Sequence, residues 1–355
     1  MNNKENIVEA GQEKYITFCI PSFNRGDKVA ALVSEILQYK GMDIEVVVLD
    51  NCSTDNTVSL LQEIKDDRFR LIENDNNIGG ILNCLKVLTL ANGKYAAFCL
   101  DKDGVISANI EILINILKKE KDISFGYCAL NLEKESEYIV YSKAFSSVYN
   151  MSYLSSHPTG RFYKADVFKR LLYVEQRLKD TNTKFAFDLD IINAQMAFEG
   201  RSLLINTPLF YTERSEESAR VLSHTYKKLE DVFFFPEQRL KEYSRYMESA
   251  DSLHLAFNEK YKLIKKIYQR GLSSSLEGYK ASMDNKSVCN HYHLRPQKIS
   301  VKELILIDYN YNKAFLVSEM GLSRSKKICI LLTVEFKRFL IFCYHLLAKL
   351  KMDNK

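Results

Sequence analysis

Phe98-Cys99-Leu100-Asp101-Lys102-Asp103-Gly104 is an apolar run that ends in two carboxylates one residue apart and a glycine, with a helix expected from Ser107. In extended backbone, residues i and i+2 project to the same side, so Asp101 and Asp103 can address one target together. Paired oxygen ligands at a strand end suit a hard divalent cation, Mg²⁺ or Mn²⁺, which keeps several waters and shares phosphate oxygens with a substrate. The same Asp-x-Asp-Gly letters also occur in plain turns. The surrounding chain decides between the two.

Upstream, Tyr15 to Ile20 is a buried-strand run closed by Pro21-Ser22-Phe23-Asn24-Arg25-Gly26, and a helix is expected from about Asp27 to Tyr39. Glu45 to Leu49 is a second apolar strand. It ends in Asp50-Asn51-Cys52-Ser53-Thr54-Asp55, whose last three residues offer helix N-caps for a segment reaching Ile64. Arg70 to Ile72 is a third strand, Gly79 to Leu90 a helix and Tyr95 to Leu100 the fourth strand. Strands alternating with helices at this spacing predict an α/β fold. Its sheet is mostly parallel, with helices on both faces and ligands at the carboxyl ends of the strands. Pro21 to Arg25, Asp50 to Ser53 and Asp101 to Asp103 all sit at such ends.

Ile20-Pro21-Ser22-Phe23-Asn24-Arg25, Leu49-Asp50-Asn51-Cys52-Ser53-Thr54-Asp55-Asn56-Thr57, Asn77-Ile78-Gly79-Gly80 with Asn83, and Leu100-Asp101-Lys102-Asp103 together resemble the successive signatures of family 2 glycosyltransferases with the GT-A fold. The resemblance covers about residues 15 to 215. It implies a nucleotide-sugar donor, a divalent metal (Mn²⁺ or Mg²⁺) and inversion at the anomeric carbon. Carried over residue by residue, it puts Pro21 and Asp50 against the nucleoside, Asp101 near the ribose and Asp103 on the metal, with Asp101 as a second metal contact. Ser22, Asn24, Arg25, Asn51, Asn83 and Lys102 complete the implied donor set. Asn51-Cys52 stands where many members have Asp-Gly, and a neutral Asn still hydrogen-bonds a base or ribose. Lys102 lies inside the triplet, where an i+1 side chain is expected to point away from the metal.

Beyond Ser107 a helix to about Lys119 and a strand from Ile123 to Leu130 are expected, with Glu133-Lys134-Glu135-Ser136-Glu137 as a solvated hairpin tip. Ser155-Ser156-His157-Pro158-Thr159-Gly160-Arg161 resembles the family's acceptor-facing loop, which makes His157, Thr159 and Gly160 acceptor candidates, with the diphosphate as the other contact open to His157. A loop histidine that merely caps structure is the alternative. Phe185 to Ile191 opens a helix and resembles the family's Glu-Asp-x-Asp segment, with Phe187 in place of the glutamate and Asp188 in the position of the catalytic base. Displacement of a diphosphate by a sugar hydroxyl needs such a carboxylate within hydrogen-bond reach. Asp190 is the rival, and both are alternatively dipole partners of a helix start. Tyr211-Thr212-Glu213-Arg214 lies where many members place a metal-facing histidine, and none is present. Arg214 and Arg220 are candidates to neutralise diphosphate charge, or are solvated loop arginines.

From about Lys227 the text becomes long, charged and helical, so the GT-A domain is expected over 15–225, after a polar arm over 1–14 that lacks an apolar run. A helical region is expected over 226–324 and a basic amphipathic tail over 325–355. Cys289, His291 and His293 alternate as on one strand face, which suggests either a metal site or a structural role. Ser325 to Lys351 lacks the ~20 uninterrupted apolar residues of a spanning helix. Its basic residues suit an interfacial helix on anionic lipid, the alternative being a helix packed on the protein.

The chain has 355 residues, 46% hydrophobic, enough for a packed core. A net charge of +5 is too mild to argue for nucleic acid. Eight scattered cysteines, none in Cys-x-x-Cys spacing, read as reduced core residues of a cytoplasmic protein, and the basic tail, where it binds lipid, would place it peripherally on the inner membrane's cytoplasmic face. The expected partners are a nucleotide-sugar, with UDP as the commonest nucleotide of the family, and a saccharide or lipid-linked saccharide acceptor of bacterial surface glycan synthesis. The rival enzyme reading, a sugar nucleotidyltransferase, should open with a glycine-rich triphosphate loop, and Pro21-Ser22-Phe23-Asn24 is not one. The rival from another class is a non-catalytic, nucleotide-binding, membrane-associated assembly protein.

Overall fold

In the computed structural model of the protein, residues 14–130, 138–182, 185, 187–212 and 232–353 are described, residue 291 and residues 340–353 by backbone alone. The expected hairpin tip at 133–137, Glu213, Arg214, Arg220 and the boundary near 225 lie outside the described residues, as does nearly all of the N-terminal arm. The chain divides into two units, 1–218 and 219–355.

The first unit is built on an eight-stranded sheet. Strands β1 (Ile16–Ser22) and β2 (Ile44–Asp50) are buried at every position, which is why both read as unbroken apolar runs rather than alternating ones. With β3 (Phe69–Glu73), β4 (Tyr95–Phe98), β6 (Ile123–Cys128), β7 (Tyr138–Tyr141), β8 (Arg161–Lys164) and β9 (Arg201–Ile205), the order is β3-β2-β1-β4-β8-β6-β9-β7. The first four strands are parallel to one another; β8 and β7 run antiparallel to their neighbours. Chain order leaves β1 toward β2 on one side and returns to β4 on the other, so a crevice opens at the carboxyl ends of β1 and β4.

Helices α1 (Gly26–Ile36), α2 (Thr57–Gln62), α3 (Gly80–Thr89) and α4 (Ile110–Lys119) form the crossovers. Each longer one turns an apolar stripe to the sheet, as Val29, Leu32, Val33 and Ile36 do in α1. The helix expected from Ser107 starts as a short 3₁₀ turn, Ser107–Asn109, before α4. Four more helices follow: α5 (Phe145–Met151), α6 (Ala165–Arg170), α7 (Leu172–Lys179) and α8 (Asp188–Met196). A separate two-stranded ribbon pairs β5 (Asp103–Val105) with β10 (Phe210–Thr212).

Strand β4 stops at Phe98, Asp101 and Lys102 form a turn that Asp103 N closes on Leu100 O at 3.0 Å, and Asp103 begins a new strand. The two aspartates are therefore brought together across a turn, not along one extended strand.

Among its described residues the second unit is helical: α9 (Pro236–Ser252), α10 (Phe257–Ser273), α11 (Tyr279–Asp284), α12 (Lys286–His291), α13 (Val301–Val317) and α14 (Arg324–Asp353). Buried Tyr243, Tyr246, Tyr268, Tyr311 and Phe315 fill its interior. Ser300 Oγ caps α13 by accepting from Glu303 N. Cys289 and His291 lie in α12, not on a strand, so the expected shared face with His293 does not form. The Cys289 thiol is buried and points to Ser282 O and Met283 O, a structural role. Helix α14 is not a detached tail. Ile330 and Val334 are buried, and Arg338 pairs with Asp308 of α13 at 2.7 Å.

Candidate active site

Four loops converge at the carboxyl ends of β1, β2 and β4. The loop after β2 is built around Asp50, which is buried; its Oδ2 accepts from Ser53 N at 2.8 Å and its Oδ1 from Ser53 Oγ at 2.5 Å. Ser53 Oγ also accepts from Asn24 N at 2.8 Å, Asn24 Oδ1 accepts from Thr54 N at 2.8 Å, and Thr57 Oγ1 accepts from Arg25 N at 3.0 Å. The first and second loops are thus laced together by the short polar side chains that the sequence offered as helix caps. Thr57 N bonds to Asp55 Oδ1, so Asp55 does act at the start of α2. Cys52 adopts φ 63°, a left-handed conformation that favours glycine, which accounts physically for the Gly found there in many relatives of the motif.

Asn51 and Asn83, expected to contact the donor, are turned inward. Asn51 Oδ1 accepts from Ile78 N and Asn74 Nδ2, and its Nδ2 donates to Asn77 Oδ1. Asn83 donates to Leu49 O and accepts from Asn74 Nδ2. Lys86 Nζ reaches Asn74 Oδ1 at 2.7 Å. This asparagine lattice fixes the backbone after β2. It was invisible in the sequence because Asn74 and Lys86 belong to no motif.

Arg25 Nε stands 3.4 Å from Asp101 Oδ2. Burial raises the Asp101 pKa to about 6 in spite of Arg25 and Lys102, which pull it down. Asp103 is buried as well. Its Oδ2 accepts the hydroxyl proton of Thr159, while Thr159 Oγ1 accepts from Leu100 N at 3.0 Å. Thr159 therefore clamps the aspartate turn and, wholly buried, does not face an acceptor. Gly160 is likewise structural. Gly160 N donates to Phe98 O, and Gly160 O accepts from Cys128 N, which ties β4 to β6. His157 Nε2 lies 3.7 Å from Asp103 Oδ2, and burial, with Lys102 and Arg161 nearby, lowers the His157 pKa to about 4. The Lys102 charge acts on both Asp101 and His157.

Three buried polar atoms here have no protein partner: Ser22 Oγ, Arg25 Nη1 and His157 Nδ1. Two buried carboxylates, one with its ionised form disfavoured, beside unpaired donors fit a cation shared with a polar anionic ligand. Among the described residues no three His, Cys, Asp or Glu side chains form a metal cluster by themselves.

Asp188 and Asp190 open α8 and, two residues apart on a helix, look in opposing directions. Asp188 is held by α7: Oδ1 accepts from Tyr173 Oη at 2.6 Å and Arg177 Nε at 2.9 Å, and Oδ2 from Arg177 Nη2 at 3.0 Å. Asp190 is held by the loop before β8 and by the first residue of that strand. Its Oδ1 accepts from Leu154 N at 3.1 Å and its Oδ2 from Arg161 Nη2 at 3.1 Å.

Residues 17–172 match the family model described as glycosyl transferase family 2. Those residues are a family 2 glycosyltransferase domain. Among curated proteins, a 140-residue stretch is 30% identical to the UDP-Glc:alpha-D-GlcNAc-diphosphoundecaprenol beta-1,3-glucosyltransferase WfaP of Escherichia coli, covering 39% of this chain and 53% of that protein. A stretch of 113 residues is 32% identical to the abequosyltransferase RfbV of Salmonella typhimurium, covering 30% of this chain and 34% of that protein. The chain thus spans about half, or less, of the length of these relatives. Among solved structures, S. aureus TarS 1–349 in complex with UDP-GlcNAc superposes with a TM-score of 0.50 at 12% identity, over 84% of this chain and 92% of that one. That likeness establishes the fold of the glycosyltransferase domain as one shared with TarS. No helix among the described residues is long and apolar enough to cross a membrane.

Proposed function

We propose that the chain transfers one sugar from a nucleotide-sugar to a saccharide acceptor with inversion at the anomeric carbon, in the synthesis of a bacterial surface polysaccharide. The observation that carries this reading is the buried Asp101–Asp103 turn facing Arg25, with unpartnered Ser22, Arg25 and His157 atoms around it. Asp50 and Pro21 line the nucleoside, while Arg25 and Lys102 lie against the diphosphate. A divalent cation, Mn²⁺ or Mg²⁺, bound at Asp103 and Asp101 would supply charge neutralisation for the departing diphosphate.

Asp188 is the proposed base. Tyr173 and Arg177 orient it and occupy three of its roughly four lone-pair positions, which leaves one on Oδ2 for a hydroxyl proton. The acceptor oxygen attacks the anomeric carbon, its proton goes to Asp188, and the glycosidic electron pair leaves with the nucleoside diphosphate. Asp190 has a different task in this scheme: it anchors Arg161 and the loop that carries His157 and Thr159.

WfaP, and a second curated E. coli relative named WfgD, are named for UDP-Glc and a GlcNAc-diphosphoundecaprenol acceptor. A UDP-sugar and a lipid-linked saccharide diphosphate are accordingly the first donor and acceptor classes to test. Contact with a lipid surface, at the cytoplasmic face of the membrane, belongs to the same proposal. It is supported by two exposed apolar rows of the helical unit, Val301, Ile305 and Tyr309 in α13 and Ile328, Leu332 and Phe336 in α14.

The test is incubation with a panel of nucleotide-sugars, Mn²⁺ and a short-chain lipid diphosphate carrying GlcNAc. Acceptor-dependent release of nucleoside diphosphate and a mass gain of one sugar are expected, both lost in Asp103→Ala. Formation of nucleotide-sugar from nucleoside triphosphate and sugar 1-phosphate would instead make it a nucleotidyltransferase. Donor binding with no turnover of any pair would make it an assembly protein.

A further inference from the structure

His157 enters the cleft from the loop between α5 and β8, and neither ring nitrogen has a hydrogen bond. Nδ1 is buried and unpartnered, and Nε2 stands 3.7 Å from Asp103 Oδ2, beyond hydrogen-bond reach. The ring is not there by accident of a loose loop. Two residues on, Thr159 is wholly buried and bonded to the same Asp103 oxygen and to Leu100 N, and Arg161 is pinned by Asp190. A neutral imidazole carries one nitrogen lone pair, which can serve as a metal ligand. The Asp103 carboxylate oxygen and the imidazole nitrogen thus face each other across a 3.7 Å gap, without a hydrogen bond between them.

The gap has a size that can be checked against coordination chemistry. Two ligand atoms on one octahedral ion at about 2.1 Å lie between about 3.0 Å apart, when adjacent, and about 4.2 Å, when opposite. The 3.7 Å separation falls inside that interval. Among the described residues no three such side chains come together, so an ion held by two of them would take its remaining ligands from substrate oxygens and water.

We propose that His157, through Nε2, is a ligand of the same divalent cation that Asp103 holds. The inference rests on the donor-site reading above and adds to it a nitrogen donor, with a consequence for the choice of ion. An imidazole nitrogen beside a carboxylate favours Mn²⁺ over Mg²⁺, which prefers oxygen alone.

The experiment is pulsed EPR and calorimetry of Mn²⁺ with UDP on the full chain, on His157→Ala and His157→Gln, and on His224→Ala, which removes the histidine nearest in sequence to the stretch 211–214 where many family members place a metal-facing one. The His157 side chain is one-third exposed, so its removal leaves the core intact, and thermal unfolding checks that it does. Bound Mn²⁺ is expected to show coupling to ¹⁴N in the wild type and in His224→Ala. In both His157 variants the coupling should vanish, with Mn²⁺ affinity at least about tenfold weaker and Mg²⁺ affinity less affected. Coupling that survives in His157→Ala, or that disappears in His224→Ala instead, overturns the assignment. Mn²⁺ taken up with no nitrogen coupling in the wild type also overturns it and leaves the donor-site reading standing. Failure of the wild type to take up Mn²⁺ with UDP overturns both.

Discussion

At the scale of single residues, the two aspartates of α8 show how far a motif can be trusted. The letters offered a pair of candidates for the base, and only the contacts separate the two side chains. Asp188→Asn keeps size and removes basicity, and transfer is expected to fall about 10² to 10⁴-fold with donor affinity near wild type. Asp190→Asn loosens Arg161 and the Leu154 amide, so it should act mainly on stability and on metal affinity through the loop. Steady-state kinetics and denaturant midpoints on both variants check this; the reverse pattern would make Asp190 the base.

Asp101 makes a prediction with a definite sign. Its folded pKa, about 6, lies above the ordinary 3.8, so the stability it contributes is complete below about pH 3.8 and is lost as the pH rises through about 6. The shift corresponds to a cost on the order of 3 kcal/mol at neutral pH, from burying an anion that Arg25 compensates only in part. The cation-free protein should therefore be less stable at pH 7.5 than at pH 4.5 by an amount that Asp101→Asn removes. Denaturant titrations across that range measure it. An identical pH slope in wild type and variant would count against the assignment.

At the scale of elements, the strands of the first half were legible because buried parallel strands write unbroken apolar runs, as Val46-Val47-Val48-Leu49 does. What the sequence hid is contact that crosses long intervals. The pairing of Asp103 with Thr212 across β5 and β10 joins residues far apart in the chain, and nothing in either stretch announces it. Gly160 is the sharpest case. It looked like a small residue leaving room for an acceptor, whereas its φ of 92° and a virtual Cβ 2.5 Å from Cys128 O make it a backbone necessity. Gly160→Ala is expected to destabilise the first unit by about 2–3 kcal/mol, since both the left-handed backbone and the clash with a carbonyl oppose a side chain. A chemical-denaturation midpoint gives the number. Because Thr159 and His157 precede it, Mn²⁺ affinity should fall along with stability.

At the scale of the whole molecule, the two sides of the C-terminal helix bear differently on the alternatives that the sequence posed, a helix packed on the protein and an interfacial one. One side of α14 packs, with Ile330 and Val334 buried and Arg338 bonded to Asp308, so cutting the chain at residue 325 would uncover the core of the helical unit. Its other side exposes Ile328 at 41%, Leu332 at 60% and Phe336 at 62%, and α13 exposes Val301, Ile305 and Tyr309 to a similar degree. Lys326 and Lys337 flank the α14 row, and both are exposed. Apolar rows edged by lysine suit an anionic bilayer, to which each buried large side chain contributes about 1.5–3 kcal/mol and each nearby cation about 1 kcal/mol. Point changes on the exposed side are the clean test, because they leave the packed side alone. In the full chain, Leu332→Glu with Phe336→Glu should leave the unfolding midpoint near wild type and reduce partitioning onto phosphatidylserine vesicles by more than about tenfold. Binding to neutral vesicles should be weaker from the start, and added salt should reduce the anionic component. If instead the double variant binds vesicles as before and shifts the protein from dimer to monomer in light scattering, the rows bury against a second copy of the chain.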